Sequence, residues 1–175
     1  MSMRAQTEVH ALTAKHAAAY ANLRRRALET DPLAFAIPVA GDPGASLDAV
    51  ESALAELPRD ALDCILGAFA LNLVGVVGVT REPAARHRIR LWGLYVISER
   101  RGCGIGQSLL SGAYDRSRRV AGAEQLLARV PAASAATIRL LEHFGFEAGD
   151  VDRGALDESS VAWVALTLNL PDEAA

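Results

Sequence analysis

Residues 94–110 read LYVISERRGCGIGQSLL: an apolar run, two arginines, glycines at alternate positions, and then a helix-forming stretch. Gly102, Gly104 and Gly106 let the chain curl so that several N–H groups converge. The helix that follows adds its own unpaired N–H groups and the positive end of its dipole. A strand–loop–helix of this kind is suited to receive phosphate. One exposed helix end contributes only about 0.3–1 kcal/mol, so Arg100, Arg101 and the converging amides must supply the rest. Residue types then narrow the ligand. A P-loop needs Lys and Ser/Thr after its last glycine, whereas Gly106 is followed by Gln107-Ser108. The dinucleotide fingerprint G-x-G-x-x-G fails as well, with Gln107 or Leu109 where the third glycine belongs.

Working outward, residues 87–97 (HRIRLWGLYVI) alternate and then become apolar throughout, which predicts a strand entering the centre of a sheet. Gly93 in its middle predicts a bulge or a close approach of another backbone. Residues 62–80 predict a hairpin turning at Ala70–Asn72, and Pro83 marks a second turn over 81–86. Upstream, 6–12 predicts a strand and 13–30 a helix, opened by Thr13, striped by Tyr20, Leu23, Ala27 and Leu28, and ended by Pro32. A loop follows over 35–46, with Pro38, Gly41, Pro43 and Gly44. Ser46 and Asp48 begin a second helix, striped by Val50, Leu54 and Leu57 and closed by Pro58. Downstream come a helix over about 104–121, a strand over 125–130, a helix from Ser134 to about Phe144 ended by Gly145, and a last strand over about 160–168. The tail 171–175 is expected to fray. The reading is one α/β domain, with antiparallel hairpins first and a strand–helix–strand–helix unit after them.

Composition bounds the partners. A chain of 175 residues favours a single domain with a real core, although 34 of its 51% hydrophobic residues' worth of positions are Ala, which support helices more than they fill cores. The net charge of −3 gives no overall attraction to nucleic acid or to an anionic membrane. Cys64 and Cys103 form no disulfide framework and no zinc spacing, and the four His lack an i,i+4 pair, so no metal is expected. With no signal-like or membrane-length apolar run, a cytoplasmic location is the expectation. Cys64 reads as core, Cys103 as filler in the loop, Trp92 and Trp163 as packing, and Arg24-Arg25-Arg26 as a solvated helix face.

The glycine stretch fits R-x-x-G-x-G, with Arg101, Gly104 and Gly106, inside the longer string V-x-x-x-x-R-G-x-G-I-G-x-x-L-L from Val96 to Leu110. This resembles the acyl-CoA pyrophosphate loop of the GNAT N-acetyltransferases. Residues 134–146 (SAATIRLLEHFGF) are similar to that family's second motif, through Ile138, Leu140 and Gly145-Phe146. The stretch RALETDPLAF (26–35) also looks like a helix-to-loop segment of some members. The resemblance covers about residues 62–150. It implies a mixed, mostly antiparallel sheet flanked by helices and splayed between its fourth and fifth strands, with acetyl-CoA as co-substrate and an amine as acceptor. It assigns the co-substrate to Leu94, Val96, Arg101, Gly102, Cys103, Gly104, Gly106, Gln107 and Ser134, with pantetheine pairing to main chain near Leu94 and Val96 as a peptide adds to a sheet edge. Dimerisation is common in such enzymes, so a homodimer is expected, though no residue here fixes one.

Two departures concern the chemistry. Ser134 stands where the second motif usually has Asn, and Leu141 stands where a Tyr commonly protonates the leaving thiolate. His143 lies about 200° around the helix from Leu141 and reads as a surface or packing residue. Family members often carry a carboxylate on the strand before the glycine loop, yet residues 87–97 contain none. Glu82, His87 and Ser134 remain as weak catalytic candidates, beside Asp63, Glu51 and Asp48, and the general acid is unassigned. Main-chain N–H near Val96 would stabilise the oxyanion. Catalysis is therefore expected to come chiefly from positioning. Leu141 also motivates an alternative, a catalytically silent acyl-CoA-binding module. Finally, the charge is uneven: residues 81–119 hold nine Arg against Glu82, Glu99 and Asp115, a net of +6, and the remainder carries −9. A basic field around the phosphate loop is expected from this bias.

Overall fold

The computed structural model describes residues 7–36, 39, 42–56, 62–152 and 161–171. Pro38 and Gly41, the closure of the second helix at Leu57-Pro58, and the tail beyond Pro171 lie outside these residues. Seven strands form one sheet: β1 (Glu8–Ala11), β2 (Cys64–Ala70), β3 (Asn72–Arg81), β4 (Arg88–Val96), β5 (Gln125–Pro131), β6 (Glu147–Asp152) and β7 (Trp163–Asn169). Their spatial order is β1-β2-β3-β4-β5-β7-β6, and every neighbouring pair is antiparallel except β4 and β5. Four helices flank it: α1 (Ala17–Thr30), α2 (Leu47–Glu56), α3 (Ile105–Ser117) and α4 (Ala135–Phe144). No described helix is long and apolar enough to cross a membrane.

Alternation along the strands divides the core in two. Leu66, Val77, Val79, Ile89, Leu91 and Leu126 pack with Leu109, Leu110 and Ala113 of α3 and Leu141 of α4. On the other face Ile65, Val76, Trp92 and Tyr95 meet Tyr20, Leu23 and Ala27 of α1 and Val50 and Leu54 of α2. The central strands are buried on both faces, which is why they read as near-continuous apolar runs. The β2–β3 hairpin turns on Leu71 alone, at φ +72° between the paired Ala70 and Asn72. Trp92 donates its indole N–H to Thr80 Oγ1 at 3.0 Å, so its one polar atom is satisfied in the core.

Four details differ from the sequence reading. The helix predicted over 13–30 starts as a 3-10 turn, Ala14–His16, before α1 proper, because Thr13 and His16 cap each other through the Thr13 N–H···His16 Nδ1 bond of 3.0 Å. The loop after Pro32 begins with another 3-10 turn, Pro32–Phe35. Helix α3 stops at Ser117, whose buried hydroxyl bonds back to Ala113 O at 2.7 Å, and the chain reverses through Gly122 at φ +73°. Strand β6 is absent from the reading altogether. Residues 147–151 are exposed and carry no apolar alternation, and β6 is a strand only because its backbone pairs with β7 at the edge of the sheet.

Arg24 corrects the picture of a solvated arginine face. It is only 6% exposed, pairs with Asp42 at 2.8 Å, and places its guanidinium carbon 3.6 Å from the centre of the Phe35 ring. Arg25 is exposed, and Arg26 pairs with Glu99 across to the segment after β4. That hydrogen bond holds the Glu99 carboxyl down to about 2, a fully exposed effect that salt will screen. Replacing Arg24 alone leaves the part-buried Asp42 without its cation, and breaking a buried pair costs up to roughly 3–5 kcal/mol. We expect Arg24→Met to lower the melting temperature by about 10 °C, read by differential scanning calorimetry. An unchanged melting point would show that the pair contributes nothing.

Candidate active site

The site follows from where β4 and β5 part. They pair in parallel only from Arg88↔Gln125 to Leu91↔Ala128. Beyond that point β5 continues against β7 as far as Pro131↔Trp163, while β4 continues against β3. The main chain of Trp92–Val96 therefore has no strand partner on its β5 side. The parting coincides with a bulge in β4. Val76↔Tyr95 and Gly78↔Trp92 bracket two β4 residues, Gly93 and Leu94, against the single Val77 of β3. Gly93 takes φ +57°, so the expected bulge is present; a Cβ there would collide with the Phe35 ring, so the close approach comes from a side chain and not from another backbone.

The V-shaped gap between the two strands is a narrow cleft. Its walls are Leu91–Leu94 of β4 and Ala128–Pro131 of β5, its floor Leu110 of α3 with Ser134, Thr137 and Leu141 of α4, and its rim Asp31, Leu33 and Ala34. A second, smaller cavity shares Leu33, Ala34, Leu91, Trp92, Gly93 and Arg129 with the first and extends toward Phe35, Val39, Asp42, Arg90 and Trp163. The two adjoin through these shared residues beside the Gly93 bulge.

At the far end of β4 the glycine turn opens α3. Gly102 and Gly104 lie at φ +74° and +81°, conformations that L side chains rarely adopt, and nothing lies within 4 Å of a Cβ at either. Gly104 is the N-cap, with no side-chain cap bond. The first helical bond is Ser108 N–H to Gly104 O at 3.0 Å, and the N–H groups of residues 102–107 find no acceptor among the described residues. Such a cluster of open donors at a helix start is fit to take phosphate oxygens. Gly106 has a different reason to be glycine: its Cβ would stand 2.7 Å from Leu140 Cδ2 of α4, so its bareness lets the two helices close. Arg101 is exposed and folds its Nε–H onto Val96 O at 2.9 Å, placing its guanidinium where cleft and turn meet.

The charge expectation needs correcting. Helix α3 runs back along the sheet, about 20 Å for 13 residues, so Arg116, Arg118 and Arg119 sit at its other end. Arg81 lies there too, donating to Ala121 O at 3.4 Å, and Arg90 is tied to Glu82. Arg100 and Arg101 alone of the nine flank the turn, so the basic field is two side chains and a set of amides rather than a broad patch.

The predicted site residues separate cleanly. Leu94, Ser134 and Leu141 line the cleft, and Val96, Arg101, Gly102, Cys103, Gly104, Gly106 and Gln107 build the turn beside it. Glu82 and His87 do not line it: Glu82 is bound to Arg90, and His87 is exposed just before β4 begins. Asp63 accepts the Arg81 N–H at 2.8 Å, while Asp48 and Glu51 face solvent on α2. His143 is exposed, on the face of α4 away from buried Leu141. Three polar lining residues, Asp31, Arg129 and Thr137, were not among the predicted site residues. Thr137 was legible, since it lies three residues after Ser134 and four before Leu141 on one helix face. Asp31 gave no such signal; it lies more than 60 residues from the motif and arrives only by folding.

The two thiols differ as their surroundings require. Burial pushes the Cys64 thiol up to about 11, whereas Cys103 is exposed on the turn. At pH 8 iodoacetamide should therefore label one thiol, Cys103, in the folded protein and both in denaturant, as counted by intact mass. Two fast labels under native conditions would contradict the burial of Cys64.

With this geometry in place, comparison with known proteins is direct. Residues 38–146 match the sequence model of the Acetyltransferase (GNAT) family, well over half of the chain. The chain belongs to the GNAT acetyltransferase family, whose members use acetyl-CoA as co-substrate. Its fold is shared with solved structures at low identity. A GNAT-family acetyltransferase from Streptococcus pneumoniae superposes with a TM-score of 0.76 at 20% identity, covering 95% of this chain and 100% of the other. The ribosomal-protein-S5-alanine acetyltransferase of Vibrio fischeri gives 0.76 at 17%, covering 98% and 97%. The yncA protein of Salmonella typhimurium, described with its cofactor acetyl-CoA, gives 0.69 at 19%, covering 97% and 96%. A sequence search of curated proteins finds no match.

Proposed function

We propose that this chain transfers an acetyl group from acetyl-CoA to a primary amine, of a small molecule or a protein, by direct attack of the amine on the thioester. The observation that carries it is the parting of β4 from β5 beside an uncapped, glycine-built helix start. The open N–H groups of residues 102–107, with Arg101, meet the pyrophosphate. The unpaired edge of β4 at Leu94 and Val96 takes the pantetheine amides as another strand would. Val96 O, already bonded to Arg101, retains a second lone pair for this. The thioester then lies between the Gly93 bulge and the α4 face of Ser134, Thr137 and Leu141. The acceptor enters through the second cavity. Holding both reactants in the two adjoining cavities supplies most of the rate. Leu141 cannot donate a proton, so the leaving thiolate takes one from the attacking nitrogen or from solvent. Neither the fold nor the relatives support the silent acyl-CoA-binding module that Leu141 suggested.

The test is a thiol-release assay with acetyl-CoA across a panel of primary amines, including amino acids, polyamines, arylalkylamines and peptide N-termini. At least one amine should release free CoA saturably. Binding of acetyl-CoA with no amine turned over would overturn the proposal.

A further inference from the structure

Acetyl transfer to an amine needs a group that removes the ammonium proton, and none of the carboxylates near the motif in sequence reaches the cleft. We infer that Asp31 is that group: its carboxylate receives the acceptor's ammonium at the mouth of the β4–β5 cleft and takes its proton. This rests on the acetyltransferase reading above. Asp31 lines the β4–β5 cleft with Gly93 and Ser134, and its near neighbours Leu33 and Ala34 line both this cleft and the second cavity. Only one other carboxylate, that of Asp42, lines the two adjoining cavities among the described residues, and it is neutralised by Arg24 at 2.8 Å. The Asp31 side chain has no hydrogen bond or ion pair among the described residues, so its charge is available to a cation.

Its backbone, by contrast, is pinned. Asp31 N–H donates to Ala27 O at 2.7 Å, its carbonyl accepts Ala34 N–H at 3.1 Å, and Pro32 fixes the next residue. The preceding Thr30 hydroxyl bonds Tyr95 Oη of β4 at 2.8 Å and lies 2.9 Å from Arg26 O. The end of α1 is thereby tied to the very strand that carries the bulge. Thr30 and Tyr95 are positioning residues. A catalytic carboxylate needs this combination of a fixed main chain and an unengaged side chain.

The chemistry balances without another reagent. The ammonium passes one proton to Asp31, and the freed nitrogen lone pair attacks the thioester carbon. The tetrahedral intermediate collapses as the C–S bond breaks, with its electron pair leaving on sulfur. The second nitrogen proton passes to the thiolate, giving amide and CoA thiol, and Asp31 returns its proton to water. Leu33, Phe35, Val39, Trp92 and Trp163 line the two adjoining cavities together with Arg90 and Arg129, so the acceptor that fits carries its primary amine on a partly apolar body, with the amine held at Asp31.

The test uses the amine found in the thiol-release screen. Asp31→Asn should lower kcat about a hundredfold at pH 7, while acetyl-CoA raises its melting point as it does for the wild type. The deficit should shrink as the pH approaches the amine's own pKa, where free amine no longer needs a base. Formate should restore part of the activity of Asp31→Ala and none to the wild type, an effect that a merely structural residue would not show. Asn and wild-type rates within about threefold at every pH, or no rescue by formate, would overturn the role of Asp31 and leave acetyl transfer standing. A wild-type protein that turns over no amine would overturn both.

Discussion

Gly104→Val is expected to leave the sheet intact and to remove acetyl-CoA binding. Gly104 sits at φ +81° as the N-cap of α3, with open space where a side chain would go, so the obstacle is the backbone and not a clash. An L residue in the left-handed region costs roughly 1–2 kcal/mol, and a β-branched one sits there worst. The strain is relieved by rotating the turn, which swings the N–H groups of residues 102–107 out of convergence. Stability should fall by about 2 kcal/mol, or roughly 4–8 °C, while acetyl-CoA affinity falls at least a hundredfold in calorimetric titration. Gly106→Ala is the contrast. Its Cβ would meet only the tip of Leu140, a flexible side chain that can give, so affinity should change by less than tenfold. Equal losses at both positions would mean that the turn's conformation is not what binds.

Gly93→Val should destabilise the fold about as strongly as loss of the Arg24–Asp42 pair. Two penalties coincide at this residue: φ is +57°, and a Cβ would strike the Phe35 ring that lies over the buried Arg24 guanidinium. Backbone strain of about 1–2 kcal/mol and overpacking of about 1–3 kcal/mol together give roughly 3–4 kcal/mol. The melting point should drop by about 10 °C, and turnover should fall further than acetyl-CoA affinity, because Phe35 lines the second cavity, where the acceptor enters. Adding Phe35→Ala to Gly93→Val should recover the steric part and not the backbone part, so the two changes are non-additive. Strict additivity would refute the contact.

These two glycines mark how much was legible in the sequence. Gly93 stood out because glycine in an otherwise buried strand has few uses, and one of them, the bulge, occurs, with the Phe35 ring in place of an approaching backbone. The alternating glycines after β4 stood out because converging amides require them. The β2–β3 hairpin, the order of β4, α3, β5 and α4, and the parting of β4 from β5 follow from strong local patterns or from the resemblance they carry. What escaped has no local pattern. Strand β6 carries no apolar alternation and exists by edge pairing alone. Arg24 looks like Arg25 and Arg26, yet the turn of the helix puts it inward, where Asp42 and Phe35 make burial tolerable. The spread of arginines looked like a field around the turn until α3 carried three of them to the other end of the sheet. Asp31 was read only as part of the helix-to-loop stretch RALETDPLAF that Pro32 ends, with no role of its own, and it reaches the cleft through tertiary packing at the end of α1.

The measurement that tests the central claim most directly is a ligand-dependent melt with acetyl-CoA, CoA, ATP and NAD, each at saturating concentration. At a hundred times its dissociation constant a ligand adds about 2.7 kcal/mol to stability, which for a chain of this size is roughly 5–10 °C. The geometry of cleft and turn predicts a rise of that size with acetyl-CoA and with CoA, and none with ATP or NAD. A shift with ATP or NAD and none with acetyl-CoA would contradict it.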